Sequence, residues 1–546
     1  MKSERLFRVL GLIDEDLIEE ANTPLPSVSP RRHTYWKHAL AAAACLALIC
    51  TVTLPLLRSG GSTDAAMESI WDTTESAAPE EPGGQTGGSG IATDSEPLGT
   101  EGTTFMSYAG PVFPLTLEKP VDGLTVERKT TWNFAPNAYQ DGTPRQWGAG
   151  VTDSYLLTNS TTGEILAMAC YPMAGSAASL AEQRPAVTAD DQPVDWTLYA
   201  GSYAGNFTHA GVDDGSTWNL QSPDSWMDYK TLLEDGTYYE NAKAPYPSLD
   251  TPVTVYSFTD YQAPGGYNAA VQAIDFTIDP EKTQILSYGF NGLWSEDDGW
   301  RRYDFFVPSA LRHGDTLKML IVLGDDIDGY TLQGYENGSC ETALPGVSCT
   351  MTRQETTLDQ ALNALCQVQM DDYRADFEGD SSTEAVGLFD LISEDVCQGL
   401  MTQLLVQHGI FAGDNAKDRY TDGRLDDIFW EALHQERVLY LTFPVTIPAN
   451  SSVEITAELW KEPSYDFGCS GSEHVGLQGY DLSTTLGSCL QFTKQSAALI
   501  NTDTIEVFRQ NFGFDLENGV TDVQLDPAQA HYYLEIREKQ ADTDTP

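Results

Sequence analysis

One uncharged run near the start of the chain constrains its folding more than any other feature. Residues 39–57 read ALAAAACLALICTVTLPLL, nineteen positions without a charged side chain. At about 1.5 Å per residue, a helix of this length reaches about 28 Å, close to the roughly 30 Å hydrocarbon core of a bilayer. The run therefore predicts one transmembrane helix over residues 39–57.

The flanking charges predict the orientation of that helix. Basic and histidine side chains stand just before the run, at Arg31, Arg32, His33, Lys37 and His38. Because positive residues stay on the cytoplasmic side of a membrane, residues 1–38 are expected inside and residues 59–546 outside. The sequence thus predicts a single-pass protein of the cell membrane with an extracytoplasmic bulk.

Three alternatives to an uncleaved anchor exist. A cleaved signal peptide has a shorter charged region and an apolar core of about 7–15 residues, followed by a small-residue cleavage site. Here 38 residues precede a longer core, and Arg58 follows it. A lipid-attached cysteine requires a Leu-small-small pattern, which directly precedes neither Cys45 nor Cys50. A buried globular helix would leave the basic cluster unexplained.

The charge balance limits the partners of the outer part. The chain has 30 basic against 81 acidic residues, of which seven basic and six acidic fall within residues 1–58. The remainder carries 23 basic and 75 acidic residues, a net charge of −52. Such a surface repels nucleic acid and anionic lipid and suits a soluble ectodomain.

Composition and periodicity divide the chain into six segments. After the cytoplasmic segment (1–38) and the membrane helix (39–57), residues 59–104 are an acidic Gly/Ser/Pro linker that buries too little apolar surface to fold. Short strand-like runs separated by Pro, Gly and Asp predict a β-sandwich ectodomain over 105–355. Helical periodicity, as in the apolar stripe of Leu358, Ala361, Leu362 and Leu365, predicts an insertion over 356–437. Strands return over 438–540 as a second sandwich portion.

The predicted fold class is therefore mainly β: an antiparallel, Ig-like β-sandwich ectodomain with a helical insertion, plus one N-terminal transmembrane helix. Residues 155–172 and 447–463 resemble each other as hairpins, each with a polar Asn-Ser turn, an alternating strand and a terminal Pro. This likeness predicts either two related sandwiches or one sandwich interrupted by the helices.

Seven cysteines lie beyond the membrane run, and no CxxC pair occurs among them. This spacing argues against a zinc ribbon or a thioredoxin-like site. Cys340 and Cys349 flank a segment with a Pro345-Gly346 turn, which allows a disulfide between them. The alternative is that both are small buried residues, as cysteine often is.

The cytoplasmic segment carries one helical seam. Leu6, Leu10, Ile13 and Leu17 recur at i, i+4, i+7 and i+11, and such a short lone helix is marginal in water without a partner. Its acidic side chains would be repelled by an anionic leaflet. The seam therefore predicts a cytoplasmic protein partner; the alternative is a disordered tail with an accidental pattern.

A resemblance adds to this reading. The phrase LFRVLGLIDEDLIEEA, followed by a basic cluster and one apolar span, resembles the inner segment of uncharacterised single-pass membrane proteins of Gram-positive gut bacteria. Proteins of that group often accompany extracytoplasmic-function sigma factors, and their inner segments are regarded as anti-sigma regions. The resemblance covers about 60 residues and lacks the His and Cys spacing of zinc-type anti-sigma domains. It implies a sigma factor as the cytoplasmic partner.

The sequence shows no catalytic signature. It contains no GxSxG elbow, SxxK pair, HExxH helix or Walker loop. A glycoside hydrolase needs two carboxylates held in a cleft, and sequence cannot select two among so many acids. We therefore predict no enzyme, and no catalytic residue is named.

Two acidic turns are candidate calcium loops, and no other cofactor is indicated. Asp418 and Asp422 occupy positions 1 and 5 of a calcium-loop template, but position 3 is Tyr420 instead of an oxygen ligand. Asp325 and Asp328 lie in a second acidic turn. Solvated turns are the alternative interpretation for both.

These patterns predict a protein that senses an external ligand and signals through its inner helix. A surface module that binds a glycan or a protein without signalling is the alternative, because exposed aromatic faces on a sandwich can stack on sugar rings. Trp132, Trp147, Trp294 and Trp300 are among the nine tryptophans that follow the linker and are available for this. An envelope glycoside hydrolase is the third hypothesis.

Overall fold

The computed structural model describes residues 105, 107–138, 144–145, 147–201, 229–234, 236–267, 269–307, 317–376, 387–407, 423–465 and 476–539. All of these residues belong to one compact unit. No helix in these ranges is long and apolar enough to cross a membrane. Several predictions concern residues outside the described ranges, namely the membrane helix (39–57), the linker (59–104), the seam of Leu6, Leu10, Ile13 and Leu17, and the acids Asp418 and Asp422.

Strands make up most of the regular structure. The first seven are β1 (Thr116–Leu117), β2 (Leu124–Asn133), β3 (Ala149–Asn159), β4 (Ile165–Gly175), β5 (Ala186–Ala189), β6 (Gln192–Pro193) and β7 (Thr197–Ala200). The next eight are β8 (Pro252–Gln262), β9 (Val271–Thr277), β10 (Thr283–Tyr288), β11 (Gly292–Ser295), β12 (Trp300–Phe306), β13 (Lys318–Gly324), β14 (Asp328–Tyr335) and β15 (Ser348–Thr357). The last eight are β16 (Arg437–Ile447), β17 (Ser451–Lys461), β18 (Ser464–Tyr465), β19 (Leu477–Ser483), β20 (Phe492–Ile500), β21 (Ile505–Gln510), β22 (Asp522–Gln524) and β23 (His531–Glu538).

Helices are fewer than strands among the described residues. They are α1 (Leu180–Gln183), α2 (Thr237–Lys243), α3 (Leu358–Asp376), α4 (Leu388–Leu391), α5 (Glu394–Gln407) and α6 (Ile428–His434). The predicted mainly β class with antiparallel sheets is confirmed, since among the described strand pairs only β2 and β20 run parallel.

Two sheets form the first layered unit. Sheet 1 has the order β22-β20-β2-β3-β17-β5-β6. Sheet 2 joins β1-β4-β16-β7 to β18-β19-β23-β21, because Val112 bridges both β4 and β19. Strand β2 alternates buried and more exposed positions, as expected of a strand with one face on a core. Val126 of sheet 1 and Phe443 of sheet 2 belong to the same apolar cluster.

Two further sheets form the second unit. Sheet 3 has the order β10-β13-β8-β15, and sheet 4 has the order β11-β12-β9-β14. Phe258 of sheet 3 and Phe305 of sheet 4 lie in one buried aromatic cluster, with ring centroids 5.8 Å apart. The second unit is thus inserted between β7 and β16 of the first unit.

The helices cover the second face of sheet 3. Strand β13 (KMLIVLG) is buried on both faces: Leu320 belongs to the cluster shared with sheet 4, and Ile321 belongs to the cluster that contains α3. The predicted apolar stripe of α3 is confirmed, because Leu362 and Leu365 are fully buried. Thr357 caps this helix by accepting a hydrogen bond from the Gln360 backbone amide at 3.3 Å.

Strand pairing divides the chain differently from the predicted boundaries at 105–355, 356–437 and 438–540. Sheets 1 and 2 draw strands from both 116–200 and 437–538, so the two predicted β portions share one pair of sheets. The remaining strands of the predicted first portion, between 252 and 357, form sheets 3 and 4.

The predicted hairpin at 155–172 is wrong in its pairing. Strands β3 and β4 lie in different sheets, as do β16 and β17. Instead the two segments pair with each other, β3 with β17 and β4 with β16, both antiparallel. The side-chain amide of Asn159 joins their turns by donating to the carbonyls of Ile447 and Pro448, each at 3.1 Å. The sequence likeness therefore reflects two matching arches between the sheets.

A buried ion pair lies between sheets 1 and 2. Arg128 donates to both carboxylate oxygens of Asp153, at 2.9 and 2.8 Å, and both side chains are fully buried. Asp153 also accepts from the hydroxyls of Thr130, at 2.7 Å, and Tyr155. Arg128 donates further to the carbonyl of Ser483 at 2.6 Å and so ties β2 to β19. The network joins the two layers through charge-assisted bonds.

The Cys340–Cys349 disulfide is not formed, and both residues are free thiols. Cys340 packs with Val271 and Ala273 on the outer face of sheet 4. Cys349 lies in β15 of sheet 3 and packs on the cluster between sheets 3 and 4. A layer of sheet therefore separates the two sulfurs, whereas a disulfide needs Cα atoms within about 7 Å and side chains that point toward each other.

Candidate functional site

A cleft of about 600 Å³ opens on the outer face of sheet 2, within the size range of small-molecule sites. Three parts of the chain enclose it. Strands β1, β4 and β16 form its floor, α2 and the preceding helical turn at 229–233 form one wall, and the loop at 485–489 forms the other. We name it the sheet 2 cleft.

The floor of the cleft arises from strands that are buried on both faces. In β16, Leu439 and Leu441 point into the core between sheets 1 and 2, while Val438 and Tyr440 point outward into a second cluster. In β4, Cys170 points outward in the same way. The outward cluster is covered by aromatic side chains of the helical wall, so this face of the sheet is buried although it lies outside the main core.

Tyr440 is the central polar residue of the floor. It is 2% exposed, lines the cleft, and its hydroxyl has no hydrogen-bond partner among the described residues. The ring of Tyr239 lies beside it, with centroids 4.9 Å apart. The hydroxyls of Tyr239 and Thr442 also lack a hydrogen bond of good geometry to any residue that the structure describes, although Thr442 and Cys170 lie close enough to influence the pKa of Tyr239.

Unsatisfied hydroxyls of this kind are costly. Leaving a buried donor or acceptor unpaired costs about 1–3 kcal/mol, so most buried polar groups have partners. A polar ligand in the cleft would recover this free energy by hydrogen bonding to the hydroxyl of Tyr440 once the side chains that cover that atom move aside. The floor is thus suited to bind hydroxyl, amide or carbonyl groups.

Burial keeps the floor groups neutral. Desolvation raises the pKa of Tyr440 and of Tyr239 far above the usual value of a phenol. It also raises the pKa of the Cys170 thiol to about 12. At neutral pH these groups are therefore uncharged, and none of them is an activated nucleophile or base.

The mouth of the cleft is charged. Lys243 forms an ion pair with Glu118, and the Lys243 ammonium lies 5.4 Å from the ring centroid of Tyr239. The mutual hydrogen bond lowers the pKa of Glu118 and raises that of Lys243, so both are ionised at neutral pH. Glu234 and Glu240 also line the cleft and are exposed.

Hydrogen bonds join the loop at 485–489, which forms one wall of the cleft, to β1 and the residue before it. The Ser488 hydroxyl donates to the carbonyl of Leu115 at 2.6 Å, and the Cys489 amide donates to the hydroxyl of Thr116 at 3.0 Å. Gly487 has φ of +73°, and a Cβ at that position would lie 3.4 Å from Leu233 of the opposite wall. Glycine permits this loop conformation, which brings the two walls of the cleft together.

None of the sequence-predicted site residues that the structure describes lines this cleft. Among the described residues, no cluster of three or more His, Cys, Asp or Glu side chains is arranged to hold a metal ion. Asp325 is exposed, and its backbone carbonyl accepts from Thr283 at 2.9 Å. The backbone of Asp328 begins β14 in sheet 4.

The tryptophans separate into buried and exposed groups. Trp132 is fully buried against Phe512, with centroids 5.4 Å apart. Trp147 and Trp294 are 45% and 52% exposed. Trp300 is partly buried.

Sequence reasoning missed Tyr440, Tyr239 and Cys170. One signal was available, because the run VLYLTF in β16 is apolar without alternation, which indicates a strand buried on both faces. Nothing in the local sequence indicates which segment covers its outer face.

No protein-family model and no curated protein matches this chain.

Proposed function

We propose that this chain is a single-pass bacterial envelope protein whose outer part binds a small polar ligand in the sheet 2 cleft and whose inner helix transmits that binding. The two pairs of sheets are proposed to be Ig-like β-sandwiches. One observation carries the proposal: the cleft is of ligand size, and at its floor lies the buried, unpaired hydroxyl of Tyr440.

The chemistry of the cleft favours binding over catalysis. General acid–base catalysis needs a group whose pKa lies near the working pH, and nucleophilic catalysis needs an activated side chain. The pKa values of Tyr440, Tyr239 and Cys170 are shifted away from neutrality by burial. These groups can hold a ligand through hydrogen bonds without reacting with it.

The charges at the mouth favour a neutral or cationic ligand. Glu118, Glu234 and Glu240 outnumber Lys230 and Lys243 around the cleft. The whole chain carries a net charge of −51, so the long-range field also repels anions. A neutral molecule with hydroxyl or amide groups fits both the floor and the mouth.

The signalling part of the proposal rests on the inner segment. The seam of Leu6, Leu10, Ile13 and Leu17 needs a partner to cover it, and the resemblance of this segment to anti-sigma regions indicates a sigma factor. Ligand binding outside would then release or retain that partner inside.

A thermal-shift screen of neutral metabolites against the purified full-length chain tests the binding site. A ligand of the cleft should raise the melting temperature of the native chain, and Tyr440→Phe should reduce that rise. Tyr256→Phe is a matched control, because the Tyr256 hydroxyl lies in the second unit and donates to Asp326 at 2.8 Å. Ligands that stabilise both variants equally would contradict the assignment of the cleft.

A transcriptome comparison tests the signalling part separately. Deleting residues 1–21 should derepress a set of genes, and Leu10→Asp on the seam should do the same. Gly11→Asp, one position off the seam, is the control and should leave expression unchanged. An unaltered transcriptome in the deletion strain would refute signalling while leaving the cleft assignment intact.

A further inference from the structure

The outer face of sheet 4 carries a second group of side chains that the sheet 2 cleft does not involve. Along β12, Tyr303 and Phe305 point into the cluster shared with sheet 3. Side chains alternate along a strand, so Trp300, Arg302 and Asp304 point to the opposite, outer face. Trp294 of the edge strand β11 is paired with Arg302 and shares that face.

Trp294 and Asp304 form the centre of this face. Trp294 is 52% exposed, and its indole N–H donates to Asp304 Oδ2 at 3.3 Å. Asp304 is only 4% exposed, and this bond is the only hydrogen bond of its carboxylate to a described residue. An exposed ring therefore lies beside a buried carboxylate that retains unused acceptor capacity.

Glycine at position 292 lets the Asp304 carboxylate pack directly against the neighbouring strand. Gly292 is the cross-strand partner of Asp304, and a Cβ there would lie 2.1 Å from Asp304 Oδ2 and 2.7 Å from its carboxyl carbon. Any larger residue would displace the carboxylate. The missing side chain therefore permits the position in which the Asp304 carboxylate accepts the indole N–H of Trp294.

The neighbouring charges are already neutralised and held in place. Arg302 donates to both oxygens of Asp275, at 2.7 and 2.6 Å, and to the Tyr335 hydroxyl at 3.1 Å. The guanidinium lies 5.2 Å from the ring centroid of Trp300 and 5.2 Å from that of Tyr335. Among the described acidic residues of β9 and β12 on this face, Asp275 is therefore paired, whereas Asp304 has no direct cationic partner.

We propose that Trp294 and Asp304 form a binding site for a neutral sugar of a glycan chain. An apolar ring face stacks on the exposed indole, as aromatic side chains with polar neighbours allow, and a sugar hydroxyl donates to Asp304 Oδ1. Charge supports this class of ligand, because a free carboxylate in a chain of net charge −51 repels anions. The site uses no residue of the sheet 2 cleft and is independent of the proposed function.

Titration with oligosaccharides tests the site on the purified full-length chain. The probes are neutral hexasaccharides of glucose, mannose and N-acetylglucosamine, with hexagalacturonate as the anionic comparison, measured by calorimetry. At least one neutral probe should bind, and hexagalacturonate should bind more weakly. Trp294→Ala should raise the Kd of the neutral probe that binds by at least about tenfold, while Trp294→Phe should retain part of the affinity for that probe.

Two further variants distinguish the site from general effects. Asp304→Asn should weaken binding severalfold. Trp430→Ala is the matched control, because Trp430 is 51% exposed but lies in α6, and it should leave the Kd unchanged. Circular dichroism of each variant separates loss of binding from loss of folding.

The outcomes decide the proposal clearly. No binding of any neutral hexasaccharide by the folded native chain would overturn it. Equal Kd values for the native chain and Trp294→Ala, or tighter binding of hexagalacturonate, would also overturn it. Loss of binding in Trp294→Ala together with retention in Trp294→Phe and Trp430→Ala would support it.

Discussion

Replacing Asp153 by Asn should destabilise the fold more than any surface change. The carboxylate accepts two bonds from Arg128, one from Thr130 and one from Tyr155, all within the core. Asn preserves the shape but leaves the Arg128 charge buried without a counter-ion. Breaking a buried pair in this way costs about 3–5 kcal/mol, since the remaining charge keeps its desolvation penalty.

The loss of unfolding free energy is measured by urea denaturation of the full-length chain, with tryptophan fluorescence and circular dichroism as the two probes of unfolding. The matched control is Lys129→Met, at the next residue along β2. Lys129 pairs with Asp522 at 2.7 Å, but the side chains are 52% and 51% exposed, so its loss should cost roughly 0–1 kcal/mol.

A double variant separates the charge from the packing. Arg128→Met combined with Asp153→Leu removes both charges, and it should be more stable than Asp153→Asn because no buried charge remains unpaired. The reasoning is refuted if Asp153→Asn and Lys129→Met cost the same, or if the double variant is the least stable of the three.

Three further predictions concern other parts of the molecule. Tyr440→Phe should raise the free energy of unfolding by about 1 kcal/mol in the same denaturation assay, because it removes a buried hydroxyl without a partner; a loss of stability would indicate that the hydroxyl is satisfied in solution. Burial raises the pKa of Glu436 to about 7, above the usual 4.5, so the folded state binds the proton more tightly than the unfolded state. Stability should therefore fall as the pH rises from about 4.5 to 7, and Glu436→Gln should reduce this slope, which a pH series of melting temperatures would show. Finally, Cys340 and Cys349 should both react with iodoacetamide after unfolding without reductant, as measured by mass spectrometry, and a 2 Da loss in the peptide that joins them would contradict the free-thiol assignment.

Local sequence patterns predicted where helices and strands lie better than they predicted which strands pair. The stripe of Leu358, Leu362 and Leu365 correctly predicted α3, because an amphipathic helix depends on spacing within one segment. The turn at Asn159 was also correctly placed between two strands. Its strands were paired incorrectly, because a turn of that length can either close a hairpin or carry the chain from one sheet to the other, and the choice depends on what each strand meets.

The candidate sites depended even more on distant contacts. Tyr440 and Tyr239 are about 200 positions apart in the chain. Only strand pairing sets Gly292 against Asp304 and brings Asp304 beside the exposed ring of Trp294. The cysteine pair shows the opposite case: nine positions of sequence separation suggested proximity, but a sheet lies between Cys340 and Cys349.

The sequence by itself determined the strand-rich class, the helical stretch, the acidic surface and the uncharged run at 39–57, because each follows from composition or short-range periodicity. The tertiary structure decided which strands share a sheet, which polar groups lie unpaired at the floor of a cleft, and which tryptophans reach solvent. Those properties depend on contacts between residues far apart in the chain. The alternation of apolar and polar side chains indicates only that a residue is buried, not which residues cover it.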